Sequence, residues 1–239
     1  MALSARIDSF INDHVDRNFH QRRFDKLDEL GLDALLARLN PYLLKAKANW
    51  TAPRLLQHLL AAHLSSSDET LFGNVLKPIA VFICRETFGG RDPRVPSVDV
   101  EFRNGTRNYA LFIKSGPSWG NSKQVTQLIA DFNNAPRRRG MAANVEFING
   151  CCYGRSRTVA SPVYRMLCGE AFWEFISNNP TCYQEVLAPL TRGAGTHDRR
   201  YSSRLRLTEA RLTSDFQLRY GSARTGINWH GLVQENSGR

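Results

Sequence analysis

Three residues in the stretch "VDVEFRNGTRNYALFIK" have the types that act on phosphate esters: Asp99, Glu101 and Lys114. Apolar and polar residues alternate on either side of Asn104-Gly105, a strong signal for a tight turn between two strands. Period two puts Asp99 and Glu101 on one side and Val98, Val100 and Phe102 on the other. The second run sets Ala110, Phe112 and Lys114 against Tyr109, Leu111 and Ile113. If Arg103 and Asn108 close the hairpin, Asp99 lies opposite Phe112, Glu101 lies opposite Ala110, and Lys114 is diagonal to Asp99. Two carboxylates and an ammonium on one patch suit metal-assisted hydrolysis of a phosphodiester. Hard oxygens hold Mg²⁺, the metal acidifies a water, and the lysine positions that water or stabilises developing charge. The next loop, "KSGPSWGNSKQ", adds donors at Ser115, Asn121 and Ser122, while Gly116 and Gly120 let a phosphate approach the backbone. It lacks the Walker A spacing. The same charges are ordinary on the outer face of a half-exposed hairpin, so the residues alone leave both readings open.

Helices must carry this hairpin. "ARIDSFINDHVDRNF" and "FDKLDELGLDALLARLN" step their apolar residues by three and four, the second ending at Asn40-Pro41. "TAPRLLQHLLAAHL" opens with Thr51 as an N-cap and Pro53 in the first turn. A new helix is expected in "SSSDETLFGNVLKPIAVFIC", with Ser66 and Glu69 at capping-box spacing and a bend at Pro78. Beyond the hairpin, "SKQVTQLIADFNNA" reads as a helix and "ANVEFINGCCYG" as a strand. Helices follow in "YRMLCGEAFWEFI", "TCYQEVLAPL" and "RRYSSRLRLTEARLTSDFQLRYG". "TRGAGTHDRR" reads as a loop and "GLVQENSGR" as a loose tail. The expected organisation is a helical segment over 1–63, a core over 64–190 and a second helical segment over 191–239.

The formal net charge of +10 favours an anionic partner, nucleic acid before a membrane surface. No run of about 18 apolar residues is present to span a bilayer. The N-terminus lacks an apolar signal core, and the five cysteines are an odd number without a C-x-x-C pair. Reduced thiols in a cytoplasmic protein are expected, without a structural zinc site.

Several segments together carry a resemblance: "NPYLLKAKANWTAPRLLQHLLAAHLSSSDETLFGN", "VDVEF", "IKSGPSWGNSKQ", "INGCCYG", "CGEAFWEFISNN" and "INWHGLVQENSG". The chain resembles the PmeII-like family of type II restriction endonucleases, within the PD-(D/E)xK nuclease superfamily. That resemblance implies an α/β fold, a mixed central sheet flanked by helices, with helical N- and C-terminal additions. It implies a homodimer that hydrolyses both strands of a short palindromic double-stranded DNA site. It also implies dependence on Mg²⁺, with Mn²⁺ able to substitute, and no small-molecule organic cofactor. Asp99 matches the superfamily's first aspartate and Lys114 its lysine. Phe112 departs from the pattern, which asks for an acid there; only its backbone carbonyl could hold a metal. The missing carboxylate is expected from Glu101, then from Glu69, with Asp131 and Glu146 as weaker choices. Two alternatives stand beside this reading. One is an endonuclease requiring a modified base such as 5-methylcytosine. The other, motivated by Phe112, is a non-catalytic DNA-binding protein on the same fold.

On a nuclease of this kind, Ser115, Trp119, Asn121, Ser122, Lys123 and Gln124 would meet DNA around the glycine loop. Arg137, Arg138, Arg139, Arg155 and Arg157 form the nearest basic cluster, and Arg199, Arg200, Arg204 and Arg206 a later one. Most such residues bind phosphates, while few read bases.

Overall fold

The structure is a computed structural model that describes residues 3–37, 39–48, 50–93, 97–117, 122–134, 144–155, 163–222 and 226–238. The chain begins with α1 (Ala5–Val15), a π-helical run (Asp16–Gln21), α2 (Arg22–Glu29), α3 (Leu32–Leu36), α4 (Pro41–Lys47) and α5 (Ala52–Phe88). Then come β1 (Val100–Asn104), β2 (Arg107–Lys114), α6 (Ser122–Asn134), β3 (Val145–Cys151) and β4 (Arg165–Cys168). The remainder is α7 (Glu170–Ser177), α8 (Cys182–Glu185), α9 (Leu187–Thr191), α10 (Ala194–Tyr220), β5 (Gly221–Ser222), β6 (Gly226–Ile227) and α11 (Trp229–Ser237). These form two compact units, one from 1–18 and 72–192, the other from 19–71 and 193–239.

The first unit is built on a sheet ordered β1-β2-β3-β4. β1 runs antiparallel to β2, while β3 and β4 continue parallel to it. The fold is therefore α/β with a mixed sheet, as expected, and the parallel strands β2 and β3 are joined by the crossover helix α6. One sheet face packs on α5 and α7. Phe102 stacks on Phe88 at 4.7 Å and meets Phe175 edge-on at 5.7 Å. Gly150 belongs to the same face: a Cβ there would lie 2.2 Å from the Phe172 ring, so only glycine lets that ring seat. α6 covers the opposite face, where Leu128 and Phe132 pack with Ala110 and Phe147. Burying each such ring contributes about 2–3 kcal/mol.

The second unit has its own core, in which Leu55, Leu56 and Leu60 of α5 meet Leu212 and Phe216 of α10 and Leu232 of α11. Its arginines are extensively paired within the unit. Arg204 grips Asp28 with two hydrogen bonds of 2.6 and 2.7 Å, Arg23 pairs with Asp68 at 2.9 Å, and Arg219 reaches Asp33 and Glu235.

Several local expectations change. The hairpin register is the expected one, Arg103 opposite Asn108 and Val100 opposite Leu111, with Gly105 at φ 60° in the turn. The charged face, however, is not open: Ala110 is fully buried and Glu101 is 3% exposed, because α6 lies over it. Val98 joins that same face, since the chain bends at Asp99 before β1 begins and the alternation stops there. No second helix starts at Ser66; α5 runs unbroken from Ala52 to Phe88 with Pro78 inside it. A continuous helix has no N-cap at Ser66, so the capping-box reading of Glu69 fails. "YRMLCGEAFWEFI" is β4 followed by α7, divided at Gly169, whose φ of 56° few other residues adopt. Most of the expected loop at residues 191–200 is the first part of α10, which begins at Ala194, and the expected tail is mostly α11, capped by the Asn228 side chain. All five cysteines are free and buried. No helix among the described residues is long and apolar enough to cross a membrane.

Candidate nuclease site

The two ends of the hairpin that matter are the bend before β1 and the last residues of β2. Asp99 sits at the bend. Its backbone N–H donates to Leu111 O at 2.7 Å, and its Oδ2 accepts the Ile113 N–H at 2.7 Å. The side chain thus takes over the ladder where β1 has stopped, and fixes the carboxylate at the edge of β2. Lys114 ends β2. Its carbonyl accepts the Cys152 N–H at 2.9 Å, which ties β2 to the segment after β3.

α5 supplies a third member. The Ser115 hydroxyl donates to Gly73 O at 2.7 Å, and one turn later Lys77 Nζ reaches Asp99 Oδ1 at 2.6 Å. Lys77, Asp99 and Lys114 act on one another electrostatically. Burial and the neighbouring Lys77 ammonium push the Lys114 pKa below the usual lysine range, and the Asp99 charge pulls the other way. Cys152 feels both Lys77 and Asp99, but burial dominates and pushes its thiol up to about 12. Sequence reasoning missed Lys77. Its signal was a single cation inside the apolar run "LFGNVLKPIAVFIC".

Phe112 does more than omit an acid. Its ring lies under Lys114, with Nζ 4.8 Å from the ring centroid. A cation over an aromatic face gains about 0.5–2 kcal/mol, so the ring gives the ammonium a partner.

The other expected ligands are placed differently. Glu101 shares the sheet face with Ala110 and Phe112, but its carboxylate is 5% exposed and pairs with Arg91 at 3.2 Å. Glu69 is exposed in the part of α5 that belongs to the second unit. Asp131 accepts hydrogen bonds from Ser97 and Gln127, and Glu146 pairs with Arg165 at 3.4 Å and Arg107 at 3.8 Å. Both serve structural contacts. Among the described residues no three His, Cys, Asp or Glu side chains gather as a metal cage. Asp99 Oδ1 is paired with the Lys77 ammonium at 2.6 Å, whereas Glu101 and Glu146 are paired with guanidinium groups.

The DNA-facing expectations divide similarly. Ser115 spends its only hydroxyl proton on Gly73, so that side chain cannot also donate to a phosphate. Gly116 lies against the exposed Tyr153 ring, 2.4 Å from where a Cβ would stand. Lys123 and Gln124 are exposed at the start of α6, and Arg155 is exposed after β3. Arg199 and Arg206 are exposed on α10, Arg200 lies over the Phe24 ring, and Arg204 is held by Asp28. Trp119, Asn121, Arg137, Arg138, Arg139 and Arg157, and the Ser122 side chain, lie outside the described residues.

No curated protein matches the chain. The family model described as type II restriction endonuclease EcoO109I matches residues 5–198. That match begins well before Asn40, takes in the whole hairpin and the sheet, and ends early in α10. The match supports a type II restriction endonuclease family, as the resemblance implies, without being specific to the PmeII-like group. With a mixed sheet flanked by helices and the match running over most of its length, the chain belongs to the EcoO109I family of type II restriction endonucleases, enzymes that hydrolyse double-stranded DNA.

Proposed function

We propose that this enzyme uses Asp99 and Lys114 to cut both strands of a short palindromic site, as a homodimer dependent on Mg²⁺. One observation carries the assignment: the bend before β1 and the end of β2 bring Asp99 and Lys114 into one electrostatic cluster. Asp99 is the group that would hold a divalent cation; the Phe112 backbone carbonyl, across a trans peptide from the Ile113 N–H that donates to Asp99, points away from it. Bound at Asp99, Mg²⁺ would supply positive charge at the scissile phosphate and an acidified water. Lys114 does the chain's own part: its ammonium, steadied over the Phe112 ring, orients the attacking water and offsets charge on the phosphate oxygens. A lowered pKa also brings Lys114 closer to exchanging a proton with that water. Hydrolysis leaves a 5′-phosphate and a 3′-hydroxyl.

The kinship with PmeII-like enzymes is part of this reading and rests on the segments quoted above, chiefly "IKSGPSWGNSKQ". Dimerisation is supported by α10, where Leu207 and Leu218 are 67% and 85% exposed. Eleven residues is close to three full helical turns, so the two leucines share a face.

Plasmid DNA digested with the purified protein and Mg²⁺ should give discrete fragments, and sequencing their ends should map the site and cut position. Lys114→Ala should lose about 10²–10³-fold in cleavage rate. No fragments from a broad panel of methylated and unmethylated DNAs would sink the proposal.

A further inference from the structure

Asp99 faces ammonium groups from two different elements. Lys77 comes from a stretch of α5 in which Val75, Leu76, Ile79, Ala80 and Ile83 are buried. Its ammonium is paired, with Asp99 Oδ1 at 2.6 Å. The helix is held in position there, because Gly73 and Ser115 join one turn earlier. The ion pair is not what anchors Asp99 to the sheet. Its Oδ2 and backbone N–H do that through Ile113 and Leu111. The Lys77 side chain is 38% exposed and that of Asp99 18%, so the ammonium has an outlet to solvent.

Lys77, Lys114 and Asp99 together carry a net positive charge, and a divalent cation approaching Asp99 would be repelled by both lysines. Lys114 is seated over Phe112, whereas Lys77 sits on the oxygen itself. We propose that Lys77 is a positioning residue that competes with the divalent cation for Asp99. It holds Oδ1 in the metal-free enzyme, withdraws when the cation binds, and thereby sets the cation affinity of the site. This rests on the reading of Asp99 as a metal ligand.

The test is Mn²⁺ binding to the full chain without DNA, measured by titration calorimetry and by the electron-spin signal of free Mn²⁺. Lys77→Gln should bind roughly tenfold more tightly than wild type, and Lys77→Arg should stay close to wild type. Asp99→Asn should bind more weakly, and adding Lys77→Gln to Asp99→Asn should bring no gain. Lys77→Met provides a second neutral side chain, and circular dichroism checks that each variant is folded. Unchanged or weaker Mn²⁺ binding in folded Lys77→Gln and Lys77→Met overturns the proposal. So does a gain that persists in the Asp99→Asn background, which would mark a diffuse field effect, or a wild-type affinity indifferent to Asp99→Asn. Failure of the nuclease reading is separate: it would appear as wild-type protein that does not cut DNA in Mg²⁺.

Discussion

Glu101 illustrates how two residues of the same type, two apart in one strand, come to different ends. Asp99 lies where the strand has bent away and keeps access to solvent, whereas Glu101 lies inside the ladder under α6. Its carboxylate answers to Arg91, and the two backbones also bond to each other, Arg91 N to Glu101 O at 2.8 Å. To join a cation at Asp99, Glu101 would have to leave that pair inside a covered face. Glu101→Gln should therefore keep cleavage within about tenfold of wild type while lowering stability by about 1–2 kcal/mol. Arg91 is half exposed but the Glu101 carboxylate is buried, so Arg91→Ala should cost about 1–3 kcal/mol by removing a partner from that charge. Cleavage assays beside urea denaturation would decide. A hundredfold loss of rate in Glu101→Gln at unchanged stability would return Glu101 to the ligand set. That Asp99 and Lys114 come near each other could be read from residue type and period two, but the burial of Glu101 could not. Nothing in "VDVEF" announces that a helix from the crossover will cover it.

At the scale of elements, the pattern of hydrophobic steps was informative wherever one face was apolar, and failed where a single glycine or a continuous helix changed the plan. The hairpin, α6 and β3 follow directly from periodicity. β4 does not, because its short "RMLC" joins the helical rhythm of "GEAFWEFI" and only Gly169 marks the border. Another glycine makes a sharp prediction. Gly150→Ala should destabilise the first unit by at least about 1–3 kcal/mol, since its methyl would enter the space of Phe172; Gly150→Ala with Phe172→Leu should recover part of this in thermal melts. α1 carries a pH dependence. Burial lowers the His14 pKa, and its Nδ1 accepts from the Asn18 side-chain amide at 3.1 Å, which suits the neutral ring. The unfolded chain binds that proton more readily, so stability should fall as pH drops below about 6.5 and level off beneath the folded pKa. His14→Gln should flatten that part of the curve of melting temperature against pH. An unaltered slope would show that His14 is not its source.

For the whole molecule, the restriction-endonuclease family was within reach of the sequence because ordered segments lie along most of the chain. The partition into two units was not, since 19–71 and 193–239 are brought together by a core of leucines and aromatics far apart in sequence. Composition likewise did not mark which apolar residues stay outside. Leu207→Glu combined with Leu218→Glu should turn a dimer into a monomer by light scattering without changing the melting temperature by more than a few degrees. A dimer that survives both changes would move the interface elsewhere. The arginine count also needs discounting. Arg23, Arg91, Arg192, Arg204 and Arg219 are each already joined to an acid of the same chain. An arginine held in this way releases fewer ions from a DNA backbone than one facing solvent alone. The steepness with which added salt loosens DNA should therefore fall short of what the basic residues would suggest when simply counted, and should measure instead the cations that the protein has not spent on itself.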